Sequence, residues 1–120
     1  MPIRALIVDD QPDIRLLLRT YIQASQGMTV VGEFATGTEA LELIERLDPE
    51  IVVLDQMMPG MSGLETARRI LEQRPGQAIL LCSAFLDEDV RARADAIGIR
   101  LCMPKIQIDR IAGYVEEAIA

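Results

Sequence analysis

The sequence contains no histidine and no tryptophan, and aromatic residues make up only 3% of it. Without histidine the chain carries no phosphohistidine of its own and lacks the commonest general base near neutral pH. Cysteine is scarce: Cys82 and Cys102 both sit in apolar, strand-like runs, where a free thiol behaves as a small hydrophobe. Two thiols without histidine do not make a usual zinc site. Their sparseness fits a reducing compartment, although spacing alone leaves a Cys82–Cys102 bridge open. Long apolar runs are missing as well. None approaches the length of a membrane span, and Ile3 to Val8 is too short for a signal core and runs straight into Asp9-Asp10. Positive charge is in short supply. A net charge of −7 argues against a nucleic-acid surface on this chain, because phosphate backbones are bound by clustered Lys and Arg. The expectation is a soluble, cytoplasmic protein with no direct nucleic-acid or membrane contact.

What is present suits one domain over residues 1–120, half of them hydrophobic. Ile51-Val52-Val53-Leu54 reads as a strand buried on both faces, and it ends in Asp55 before the loop Gln56-Met57-Met58-Pro59-Gly60-Met61-Ser62-Gly63. Ile3 to Val8 is a similar run ending in Asp9-Asp10, Ala78 to Cys82 is another ending in Ser83-Ala84, and Met28 to Val31 is a shorter one. Ile99 to Met103 is the least apolar, closed by Pro104 before Lys105.

Helical patterns separate these runs. Pro12 suits a first helical turn, and Ile14, Leu17, Leu18, Tyr21 and Ile22 recur on one face. Thr36-Gly37-Thr38-Glu39 and Ser62-Gly63-Leu64-Glu65 have the spacing of capping boxes, opening helices with Ala40, Leu43, Ile44 and Leu47 on one and Leu64, Ala67 and Leu71 on the other. Asp87-Glu88-Asp89 suits a helix N-terminus and Gly98 its C′ position. Ile108, Ile111, Ala112, Val115 and Ile119 predict a last amphipathic helix. Gly32 and Gly37 read as turn residues, and neither a dinucleotide fingerprint nor a P-loop follows the first strand.

Strands alternating with helices imply parallel pairing through right-handed crossovers, with helices on both faces. The strand tips then share one edge, where Asp9, Asp10, Asp55, Ser83 and Lys105 converge; in open parallel sheets ligands bind there. Gathered carboxylates repel unless a cation sits among them, and Mg²⁺ suits one or two carboxylates plus a phosphate oxygen. A carboxylate can be the nucleophile of phosphoryl transfer. Lys105, the only lysine beside eleven arginines, and the Ser83 hydroxyl can meet charge on the phosphoryl oxygens.

Taken together, Val8-Asp9-Asp10, Leu54-Asp55 with Met58-Pro59 and Gly63, Ser83-Ala84 and Lys105 resemble the receiver domains of two-component response regulators over the whole chain. The resemblance implies a flavodoxin-like, doubly wound fold with strand order 2-1-3-4-5. It implies Asp55 as acceptor of a phosphoryl group from a sensor histidine kinase or phosphotransfer protein, and Mg²⁺ held by Asp9, Asp10, Asp55 and the Met57 backbone carbonyl. Ser83 and Lys105 would bind the phosphoryl group, and the surface of the fourth helix, fifth strand and fifth helix would switch an effector domain or protein. The chain would catalyse only its own phosphorylation and dephosphorylation. Met57 and Phe85 would limit water's access, giving slow loss of phosphate. A homodimer through the fourth-helix to fifth-helix face, near Arg91, Arg93 and Arg100, is compatible with the pattern.

Two departures from the family's pattern stand out. Pro104 precedes Lys105, where the family usually has proline after the lysine, and Cys102 occupies the place of a switch aromatic. An alternative therefore keeps the fold without the chemistry: a pseudo-receiver acting as a phosphorylation-independent interaction domain. A haloacid-dehalogenase-like phosphatase fits less well, because the first strand ends in Asp9-Asp10-Gln11 and not in Asp-x-Asp.

Overall fold

A computed structural model describes residues 2–120. The elements alternate as the hydrophobic periods demand: β1 (Ile3–Val8), α1 (Pro12–Ala24), β2 (Met28–Phe34), α2 (Gly37–Leu47), β3 (Ile51–Asp55), α3 (Gly63–Gln73), β4 (Ala78–Ser83), α4 (Glu88–Ile97), β5 (Leu101–Pro104) and α5 (Ile111–Ile119). A 3-10 turn over Lys105–Arg110 joins β5 to α5. All pairings are parallel, in the order β2-β1-β3-β4-β5. This is the flavodoxin-like arrangement expected from the sequence.

The core has two layers because successive strand residues point to opposite faces. Ala5, Ile7, Ile51, Val53, Leu80, Cys82 and Met103 pack beneath α1 and α5. Leu6, Val8, Val52, Leu54, Ile79 and Leu81 pack beneath α2, α3 and α4. Every residue of β3 and β4 is buried, each large aliphatic contributing about 1.5–3 kcal/mol over its exposed state. Cys82 lies in the first layer, whereas Cys102 packs against the second. Their side chains leave opposite faces of adjacent strands, so the bridge that spacing left open does not form, and both thiols are free.

Several boundaries differ from the sequence reading. Strand β2 runs on to Phe34 because its pairing with β1 resumes after a bulge opposite Ala5 and Leu6. Gly32 is thus a strand residue, and a Cβ there would lie 2.9 Å from Leu47 Cδ1. Gly37 is no turn residue either; it opens α2 against Thr66, whose Oγ1 would be 2.1 Å from a Cβ. On α1, Ile14, Leu18 and Ile22 face the core, but Leu17 and Tyr21 are exposed because the helix presents a narrower stripe than the pattern suggested. Strand β5 starts at Leu101: the Ile99 N–H closes the end of α4 on the Ala94 carbonyl, past Gly98 at φ +107°. It ends on Pro104, which an edge strand accepts. Ile108 falls in the 3-10 turn that precedes α5, directly after non-helical backbone at Gln107. The Arg100 guanidinium donates to the Ala118 carbonyl of α5 and to the Gly76 carbonyl.

Capping follows the sequence in part. The Thr36 and Ser62 hydroxyls accept from the Glu39 and Glu65 N–H groups at 3.2 Å each, and Asp87 caps α4 through the Val90 N–H at 2.8 Å. The reciprocal halves of the two boxes are not seen. Glu39 accepts from the Thr36 hydroxyl, and Glu65 turns to Arg68 and Arg69.

Candidate functional site

The C-terminal tips of β1, β3, β4 and β5 set the site. Asp9 is 1% exposed and three of its four polar atoms are hydrogen-bonded: its N–H donates to the Phe34 carbonyl, its carbonyl accepts from Arg15 Nη1 at 2.6 Å, and Oδ1 accepts from the Gln11 N–H at 2.9 Å. Asp55, 3% exposed, ends β3. Lys105 Nζ lies 3.1 Å from Asp9 Oδ2 and 3.0 Å from Asp55 Oδ1. The reversed Pro104-Lys105 order therefore leaves the ammonium between the two acids. Asp10 completes the group, with one oxygen from each of Asp9, Asp10 and Asp55 within 4.8 Å of one another. Its Oδ1 is buried without a hydrogen-bond partner.

Burial pushes the Asp55 carboxyl above its ordinary 3.8, and Asp9 adds to the rise, while Lys105 and the Met57 N–H pull it back. For Lys105, burial works against the ammonium, yet Asp55 and Asp9 hold it above 10.5. Both partners thus hold protons more tightly than usual, Asp55 chiefly because it is buried and Lys105 because two carboxylates face it. The donor set fits a hard cation: all oxygen, clustered, with a buried acceptor still unpartnered.

Ser83 is fully buried at the end of β4, beside Pro104 in register. Its hydroxyl engages Phe85, accepting from the N–H and donating to the carbonyl at 3.3 Å each, and makes no hydrogen bond to the acids. Met57 and Phe85 sit on the loops after β3 and β4 with side chains 67% and 75% exposed. Cys102 is half-buried against the α4 layer, where burial raises its thiol pKa and Arg91 opposes the rise.

Sequence reading missed two residues. Arg15, one turn into α1, reaches back to the Asp9 carbonyl. Gln56 receives two N–H groups from α3: Gly63 N–H on its carbonyl at 3.0 Å and Leu64 N–H on its Oε1 at 2.8 Å. Arg15 had a readable signal, its place within helical reach of the acid pair. For Gln56 a polar residue beside a strand tip was the only one.

Comparison with known proteins decides the family. Residues 5–116 match the model of the response regulator receiver domain. The chain belongs to that family. Receiver domains are phosphorylation-dependent switches of two-component systems, and they generally bind Mg²⁺ through acidic residues. The chain is 38% identical over 96 residues to protein-glutamate methylesterase/protein-glutamine glutaminase 4 of Myxococcus xanthus, covering 80% of the chain and 27% of that protein. It is 38% identical over 90 residues to the nitrate/nitrite response regulator protein NarL of Escherichia coli, covering 74% of the chain and 42% of NarL. The chain thus spans well under half the length of these relatives. Among solved structures, a LuxR-family two-component response regulator from Aurantimonas superposes with a TM-score of 0.94 at 28% identity, covering 99% of this chain and 86% of that one. The response regulator domain of Thermotoga maritima CheB gives 0.88 at 26% identity, covering 99% and 94%. Among the described residues no helix is long and apolar enough to cross a membrane.

Proposed function

We propose that this receiver, one unit over residues 1–120, accepts a phosphoryl group on Asp55 from the phosphohistidine of a sensor kinase or phosphotransfer protein. The observation that carries the reading is the gathering of Asp9, Asp10 and Asp55 around the single ammonium of Lys105. An Asp55 carboxylate oxygen attacks phosphorus, the donor's P–N bond breaks with its electrons leaving on the imidazole, and an acyl phosphate remains on Asp55. A bound Mg²⁺ would supply the positive charge that lets anionic nucleophile and phosphoryl group approach.

The chain's own residues do the rest. Asp9, Asp10, Asp55 and the Met57 carbonyl would hold the ion. Lys105, already at ion-pair distance from Asp55, neutralises charge on the phosphoryl oxygens. Ser83 exchanges its Phe85 contacts for a phosphoryl oxygen, and that exchange biases the α4–β5–α5 surface toward an effector domain or protein. Self-dephosphorylation is slow, because Met57 and Phe85 set apolar side chains beside the path of water.

The test is intact-mass spectrometry after incubation with acetyl phosphate and Mg²⁺. A single phosphoryl adduct, absent in Asp55→Asn and in chelator, is the expected result. No adduct, with acetyl phosphate or with histidine kinases as donors, would leave the domain a phosphorylation-independent interaction module.

A further inference from the structure

We propose that Gln56 is a positioning residue for the cation site, fixing the loop that carries Met57; this rests on the Mg²⁺ reading given above. A helix leaves its first N–H groups without intrahelical partners. In α3 the Ser62 side chain takes the Glu65 N–H. The other two free donors, Gly63 and Leu64, both go to Gln56, one to its carbonyl and one to its Oε1. These bonds span the loop. They tie the residue next to Asp55 to the start of the following helix and close segment 57–62 at its neck.

The neck is tight as well as bonded. A Cβ on Gly63 would lie 2.2 Å from the Asp55 carbonyl oxygen and 2.8 Å from Gln56 Cα, so α3 begins in direct contact with the backbone of the strand tip. Met57 is the first residue of the enclosed segment and its side chain is largely exposed, so side-chain packing contributes little to its orientation. Its backbone is aimed by the two bonds that Gln56 accepts, on its carbonyl and on its Oε1, together with the pull of the Asp55 carboxylate on the Met57 N–H. Losing the Oε1 acceptor frees the Leu64 N–H and leaves one bond at the neck, on which the loop can pivot. The carbonyl then spends less time toward the carboxylates, and cation affinity falls although no charge has changed. Groups that orient a ligand in this way typically account for about 10- to 100-fold in metal affinity.

The alternative is that Gln56 merely caps α3. Mg²⁺ titrations followed by backbone amide NMR, with urea unfolding of the same samples, separate the two. Four variants are compared with wild type: Gln56→Met, Gln56→Glu, Ser62→Ala and Asp10→Asn. Gln56→Met keeps length and charge and removes the acceptor, and its Mg²⁺ Kd is expected to rise about tenfold. Ser62→Ala removes a cap of the same helix without touching the two bonds to Gln56; it should lower stability and leave Kd unchanged. Gln56→Glu retains an acceptor and should bind more tightly than Gln56→Met. An unchanged Kd in Gln56→Met, an equal loss in Ser62→Ala, or Gln56→Glu as weak as Gln56→Met would each overturn the inference. If wild type itself shows no Mg²⁺ binding, or Asp10→Asn binds as wild type does, the cation-site reading fails and the inference falls with it.

Discussion

Replacing Lys105 by Met removes the only positive charge among the described residues within ion-pair distance of Asp9 and Asp55, and the geometry sets the cost. The ammonium lies 3.1 and 3.0 Å from carboxylates that are almost fully buried, and it is itself only 15% exposed. At an effective dielectric near 20 each contact is worth about 5 kcal/mol before desolvation, and two carboxylate oxygens within 4.8 Å of each other repel by about 3.5 kcal/mol or more. Desolvation of the ammonium offsets much of the attraction, and removing one partner of a buried pair costs about 3–5 kcal/mol in practice. We expect Lys105→Met to lose about 3 kcal/mol at neutral pH without divalent cations. At an m-value of about 2 kcal/mol/M, that moves the urea midpoint by about 1.5 M. The Lys105 pKa is raised on folding, so on the alkaline side its contribution is present in full below 10.5 and fades as pH climbs through the folded value. Millimolar Mg²⁺ should restore part of the loss, and in an Asp55→Asn background the same substitution should cost much less. A shift below about 0.5 kcal/mol, the range of ordinary surface changes, would refute the placement of the ammonium between the acids.

Three further outcomes follow from the geometry. Gly63→Ala forces a methyl against backbone atoms of Asp55 and Gln56 that cannot rotate away; a loss of about 3 kcal/mol in urea unfolding, with slower phosphorylation, is expected, and a neutral variant would contradict the close approach. The Arg74 guanidinium, hydrogen-bonded at 2.5 Å, holds the Asp48 carboxyl below its ordinary 3.8, so this pair's contribution is present above that pH and is lost as pH falls through the folded value. Asp48→Asn, which tolerates the same left-handed backbone, should therefore differ from wild type at neutral pH and converge with it in acid; a pH-independent gap would count against the pairing. Burial pushes the Cys82 thiol up to about 12, whereas Cys102 is only half-buried, so a thiol-specific reagent at mildly alkaline pH should label Cys102 first. Equal labelling of both in native protein would show that β4 opens readily.

The sheet was legible because β3, β4 and the Ala5–Val8 part of β1 are continuous apolar runs, and a strand buried on both faces leaves little other reading. The convergence of Asp9, Asp10, Asp55 and Lys105 followed from parallel topology alone, since crossovers put every C-terminal tip on one edge. What the sequence concealed depends on contacts between segments. The β1–β2 bulge that carries β2 to Phe34 is a matter of register between two strands, and neither strand records it alone. Leu17 and Tyr21 carry helical spacing but miss the sheet, because spacing gives a face and not the angle at which it is presented. Ile108 kept the spacing of α5 while lying in a 3-10 turn, whose period is close enough to deceive. Ser83 was placed correctly at its strand tip, but its hydrogen bonds to Phe85 were not readable. Gln56 acts across a loop by hydrogen bonds that leave no periodic trace.

The central claim, that the phosphoryl group resides on Asp55, is tested most directly by trapping it. Protein phosphorylated with acetyl phosphate and Mg²⁺ is reduced with borohydride, which converts an aspartyl phosphate to homoserine, and the digest is sequenced by mass spectrometry. Homoserine at position 55, in the peptide containing Leu54 and Gln56, is the predicted result. Homoserine at Asp9 or Asp10, or none in a sample carrying the phosphoryl adduct, would contradict the account.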